Sequence, residues 1–87
     1  MTYTVKIAPA AERHIKKLEP SIQRRIIRRL EGLEANPRPP GVKKLSGTES
    51  LYRIRVGDYR IIYEIRDKDL IVLVVKVGHR GDVYRPG

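Results

Sequence analysis

At 87 residues the chain has room for one domain and one modest core, which excludes a catalytic unit with a separate regulatory one. With 40% hydrophobic and 33% charged residues it is too apolar for a disordered chain and too interrupted by charge for a membrane protein, and zero cysteines exclude disulfides, thiolate metal sites and cysteine nucleophiles. Nineteen Lys plus Arg against ten Asp plus Glu give a net charge of +9, which favours polyanionic partners, nucleic acid first among them.

Tyr3, Val5 and Ile7 alternate with Thr4 and Lys6, the period-two pattern of a half-buried strand. No basic start with a long apolar run is present, and no stretch reaches the roughly 18 apolar residues of a membrane span, so the expected location is the cytoplasm. Pro9 suits a first helical turn, and Ala11, Ile15 and Leu18 fall at helical spacing down to Glu19 and Pro20. Ser21 is the expected N-cap of a longer second helix, in which Ile22, Ile26, Ile27, Leu30 and Leu33 repeat until Asn36 and Pro37. Its opposite face carries Arg24, Arg25, Arg28 and Arg29, two doublets stacked a turn apart into a continuous positive surface. His14, on the first helix, is expected to be structural. The run from Asn36 to Gly41 holds three prolines and a glycine, so it can be neither helix nor central strand.

Beyond Lys43 and Lys44 the pattern predicts three strands, Leu51 to Val56, Tyr59 to Arg66 and Leu70 to Val77, with turns at Gly57-Asp58 and Asp67-Lys68. The fold class is therefore α+β: strand, helix, helix, strand, strand, strand, with a helical hairpin packed on one face of a mainly antiparallel four-stranded sheet. A two-residue loop at 57 and 58 pairs 56 with 59, 55 with 60 and 54 with 61. One face then holds Tyr52, Ile54, Val56, Tyr59, Ile61, Tyr63 and Ile65, the expected core. The other gathers Arg53, Arg55 and Arg60, like charges within about 5–8 Å of one another, whose repulsion a phosphate or an acidic partner segment would relieve. Glu64 by parity, or Glu49 and Asp82 from flanking loops, are the carboxylates that would otherwise neutralise it.

The last strand is apolar at consecutive positions and should lie inside the sheet. After a turn of even length, Ile71, Leu73, Val75, Val77 and then His79 join the arginine face; a three-residue turn reverses this. The tail adds Arg80 and Tyr84. Cleavage of RNA by its own 2′-hydroxyl needs a base, cations to steady the phosphorane, and an acid for the leaving 5′-oxygen, with no metal or other cofactor. Guanidinium groups suit the second role but are poor proton shuttles. His79 is the candidate base, and Tyr84 exchanges a proton or stacks on a nucleobase.

The order of elements, the segment Lys44-Leu45-Ser46-Gly47, the hairpin from Leu51 to Tyr63 and the tail Val77-Gly78-His79-Arg80-Gly81-Asp82-Val83-Tyr84 resemble the RelE-type toxins of the RelE/ParE superfamily. The resemblance covers essentially the whole chain and implies a single toxin domain over residues 1–87. It implies cleavage of messenger RNA in the ribosomal A site, and silencing by an antitoxin that wraps the toxin through an acidic or amphipathic segment. Carried over by position, the site is Arg53, Arg55, Arg60, Arg80 and Tyr84. Well-studied toxins of this type carry lysines at the positions of Arg53, Arg55 and His79, which leaves His79 as the titrating group here. Lys43 and Lys44, with Arg24, Arg25, Arg28 and Arg29, are expected to steer the protein to ribosomal RNA. The alternatives are a ParE-like DNA gyrase inhibitor of the same fold and a catalytically inactive basic module that binds ribosome or antitoxin; Arg80 and Tyr84 favour RNA cleavage.

Overall fold

The structure is a computed structural model that describes residues 2–45, 47 and 50–79. β1 (Thr4–Ile7), α1 (Pro9–Lys16) and α2 (Pro20–Ala35) precede β2 (Lys43–Lys44), β3 (Leu51–Val56), β4 (Tyr59–Arg66) and β5 (Ile71–His79). The strands form one sheet in the order β1-β5-β4-β3-β2, with β1 parallel to β5 and the other pairs antiparallel. The α+β class and the meander match the sequence reading. The sheet has five strands rather than four because Lys43 and Lys44 pair with Arg53 and Tyr52, a ladder too short to leave a periodic signal. Among the described residues no helix is long and apolar enough to cross a membrane.

Both helices open on a proline. Pro9 follows Ala8 and Pro20 follows Glu19, each preceding residue holding extended backbone at the N-cap position. Proline at the first helical position has its φ preset and lacks only an N–H that would be unpaired there. The cap expected at Ser21 therefore falls at Glu19. Gln23 then closes the end of α1, its Nε2 donating to the carbonyls of Leu18 at 2.7 Å and Lys16 at 3.3 Å.

Ala11, Ile15, Ile26, Leu30 and Leu33 bring the apolar stripes of both helices onto Ile54, Val56, Ile61, Tyr63 and Ile65 of the hairpin and Val72, Val74 and Val77 of β5. Each large side chain so buried contributes about 1.5–3 kcal/mol of transfer free energy. Tyr52 and Tyr59 pack at the margin of this core.

The proline-rich linker is fastened to the far end of the sheet. Asn36 Oδ1 accepts the Arg38 N–H at 3.1 Å, and the buried Tyr63 hydroxyl donates to the Pro37 carbonyl at 2.8 Å. Arg38 lies 5.2 Å from the centroid of the Tyr52 ring and donates its Nε to that phenol at 3.3 Å. Its two terminal nitrogens donate to the Asp67 carboxylate at 3.2 and 3.0 Å, and the Tyr3 hydroxyl donates to the same group at 2.7 Å. The hydrogen bonds from Arg38 and Tyr3 hold the Asp67 carboxyl below its ordinary range, and burial pushes the Tyr63 phenol up to about 12.

β4 and β5 are joined by a 3-10 turn, Asp67–Asp69, and by Leu70 in the left-handed region at φ 53°. This connection has an even length, so Ile71 opposes Arg66 and Leu73 opposes Glu64 on the arginine face. The register then shifts: Tyr63 opposes Val74 but Ile62 opposes Lys76, leaving Val75 as an inserted residue. Beyond this β-bulge the faces exchange. Val77 opposes Ile61 and is 2% exposed in the core, and His79 opposes Tyr59, ring edge to ring face at 5.3 Å. Val77 and His79 therefore leave the arginine face expected for them, because one extra residue inverts the alternation of everything after it.

Candidate nucleic-acid site

Of the two residues in the β3–β4 turn, only Gly57 has positive φ, at 57°, the pattern in which glycine leads a two-residue hairpin. This tight closure puts Arg55 directly opposite Arg60, and Arg53 opposite Ile62, all on the face turned away from the helices. Arg53 and Arg60 are half-buried and Arg55 is exposed. Burial, then the charges of Arg60 and Arg55, lower the proton affinity of Arg53, so the three cations act on one another as the register requires. Lys43 joins them opposite Arg53, whereas Lys44 opposes Tyr52 and has the other parity. Glu64, on the arginine face, forms an ion pair with Arg66. Ile62 is only 8% exposed although it faces away from the helices, which gives the cations an apolar floor.

The arginines of α2 meet this face at its edge. Arg28 and Arg29 lie three and four residues after Arg25, so both flank it on one side of the helix. With Gly32, Arg55, Val56 and Gly57 all three line an open cleft of about 450 Å³. Glycine at 57 permits the approach, since a Cβ there would lie 3.2 Å from the Arg25 guanidinium. Arg24 lines instead a neighbouring surface with Gln23, Ile27, Arg28 and Glu31. A cleft lined by four guanidinium groups, with no carboxylate among the described residues of its lining, suits phosphate oxygens, which accept paired N–H bonds in the plane of the fork.

The structure thus brings Arg53, Arg55, Arg60 and Lys43 together on the sheet, and Arg25, Arg28 and Arg29 around Arg55 at its edge. Lys44 and His79 fall on the opposite parity, and Arg24 lies outside the cleft of Arg55, sharing a neighbouring surface with Arg28. His79 is exposed on the Tyr59 side, with the β-bulge as the physical reason. Arg80 and Tyr84, like Glu49 and Asp82, lie outside the described residues.

Residues 5–84 match the ParE toxin family of type II toxin–antitoxin systems. The chain belongs to the RelE/ParE toxin superfamily. The toxin is 36% identical over 89 residues to toxin RelG of Mycobacterium tuberculosis, covering 98% of this chain and 99% of that one. It is 27% identical over 88 residues to the mRNA interferase toxin RelE of Escherichia coli K12, covering 97% and 92% of the two chains. Its fold superimposes with a TM-score of 0.84 and 38% identity on a chain of the RelE–RelB complex from Pyrococcus horikoshii OT3, covering 94% of this chain and 99% of that one.

Two features of the toxin's candidate site escape sequence reasoning. The cleft depends on how α2 docks against the hairpin tip, which no local pattern encodes. Lys76 reaches the arginine face only through the bulge, and the run Val72-Leu73-Val74-Val75-Lys76-Val77 contains no glycine or proline to mark one.

Proposed function

We propose that residues 1–87 act as one toxin domain that cleaves messenger RNA in the ribosomal A site, in the cytoplasm. The observation that carries this reading is the register that sets Arg55 against Arg60, with Arg53 beside them, on the sheet face free of helices. In the reaction the 2′-oxygen attacks the adjacent phosphorus as its proton passes to a base. The bond from phosphorus to the 5′-oxygen breaks, and that oxygen takes up a proton, leaving a 2′,3′-cyclic phosphate and a 5′-hydroxyl.

Arg53, Arg55 and Arg60, with Arg80 by resemblance, hold the phosphate and oppose the charge that grows on the phosphorane, so no metal is required. Tyr84 orients the attack or exchanges the proton. The position of His79 against Tyr59 argues that it does not share this phosphate, and the base assigned to it on sequence grounds is left out of the set. Lys43, Lys44, Arg24, Arg25, Arg28 and Arg29 engage ribosomal RNA phosphates through contacts that salt weakens. The partner that silences the protein is an antitoxin with an acidic or amphipathic segment, a reading supported by the likeness to a toxin–antitoxin complex.

Primer extension on a messenger RNA translated in vitro, with and without the protein, tests the activity beside a Tyr84→Phe, Arg80→Ala double variant. Cuts at codon-spaced positions that need ribosomes and vanish in the variant are the expected result. No cuts at any dose overturn it, and a DNA supercoiling assay then separates gyrase inhibition from an inactive basic module.

A further inference from the structure

The β-bulge at Val75 does more than remove His79 from the arginine face. It decides which residue of β5 takes that place. In an unbroken register Val75 would oppose Ile62 and Lys76 would oppose Ile61, whose side chain is fully buried under the helices. A lysine there would carry its charge into the core at a cost of several kcal/mol. With Val75 inserted, Lys76 opposes Ile62 instead and is exposed.

Two rows of side chains then cross the open face. One runs Lys43, Arg53, Ile62, Lys76 over four strands, and the next runs Arg55, Arg60, Gly78 over three. With strands about 4.8 Å apart, the Arg53 and Lys76 backbones stand roughly 10 Å from each other on either side of Ile62. Their long stems can lean over that apolar floor with both charged heads toward one ligand. Arg60 rises from the same strand as Ile62, two residues away, and Gly78 beside it contributes no side chain. The result is a three-sided cationic frame around Ile62, closed on its third side by a lysine that sequence periodicity assigns to the wrong face. Bulges are a recurrent means of re-aiming a side chain next to a functional site.

We propose that Lys76, turned onto the arginine face by the bulge at Val75, is a phosphate contact of the RNA site, and that His79 is not. This rests on the RNA-cleaving reading and adds to it a residue that neither the resemblance nor the spacing supplies.

The test is binding of a single-stranded 2′-O-methyl RNA oligonucleotide, which has no nucleophilic hydroxyl and cannot be cleaved, followed by fluorescence anisotropy between 50 and 200 mM salt. Lys76→Gln should weaken binding about three- to fivefold and make the log–log salt slope shallower by about 0.7, the value for one contact to a single strand. Lys76→Arg should restore both, and His79→Gln should change neither. Lys76→Gln that binds with the parent's affinity and slope overturns the proposal, as does His79→Gln that loses as much as Lys76→Gln. A parent protein that shows no salt-dependent RNA binding would instead remove the RNA reading itself, and the proposal with it.

Discussion

Arginine serves opposite purposes at the two ends of the β3-β4-β5 meander. Near the β4–β5 connection Arg38 meets a carboxylate with both terminal nitrogens, a phenol with its Nε and an aromatic face with its plane. At the β3–β4 tip Arg55 stands opposite Arg60 and shares a cleft with Arg25, Arg28 and Arg29. The first arrangement is complementary within the monomer and fastens the linker to the sheet. The second gathers guanidinium groups around an open cleft whose shape and charge suit an arriving anion. The same side chain thus serves as a fastener beside Asp67 and as one wall of an open cationic cleft at the tip.

The sharpest way to break this contrast is to remove Arg55 and Arg60 together. Their replacement by alanine should lower the proposed messenger-RNA cleavage by roughly 10²–10³-fold, as loss of charge-stabilising donors does, while thermal unfolding shows Tm unchanged or higher. A protein that unfolds instead would mean that the tip, too, is structural. Tyr63→Phe makes the opposite test, removing the hydroxyl that ties Pro37 to the core. It should cost about 1–2 kcal/mol, a fall in Tm of several degrees for a domain of this size, with RNA affinity untouched.

The clasp end should also respond to pH at both extremes. Tyr63 has its folded-state value raised to about 12, so its contribution is complete below roughly pH 10 and is lost as pH climbs from there. Tyr3, raised mainly by its hydrogen bond to Asp67, adds to the same alkaline fall. Asp67 is depressed, so its contribution is present above the ordinary carboxylate range, near pH 4, and disappears as pH drops through the folded-state value. A Tm series across pH should fall less steeply at its acid end in Asp67→Asn and at its alkaline end in Tyr63→Phe than in the parent. The smallest effect belongs to the tip: Arg55→Gln alone should stabilise the free protein by a few tenths of a kcal/mol at low salt, a gain that calorimetry should find erased near 1 M salt.

What could be read from the sequence divides along the range over which each signal acts. The hairpin register was legible because a two-residue loop with glycine leaves no freedom, and Arg55 opposite Arg60 follows from it. Both helices were legible from their stripes, although the cap moved from Ser21 to Glu19 once Pro20 took the first helical position. The edge strand at Lys43 and Lys44 was hidden by its length. The clasp was hidden by distance, since Arg38 and Asp67 meet only when the sheet exists. The bulge was hidden because Val74 and Val75 fit either face, and only the three-dimensional cost of burying Lys76 decides between them. That one position put His79 and Lys76 on the wrong faces, so the arrangement of side chains was legible along the hairpin and illegible along β5.

β1, the first of the strands to be synthesised, lies beside β5, the last of those described, and β5 occupies the interior of the sheet. A growing chain therefore holds β3 and β4 on one side and β1 on the other, with the strand that joins them still to come. Contacts between segments so far apart in sequence close late, and the two helices lack a complete platform until they do. The complete sheet, and with it the platform for both helices, thus exists only once β5 has been inserted between β1 and β4.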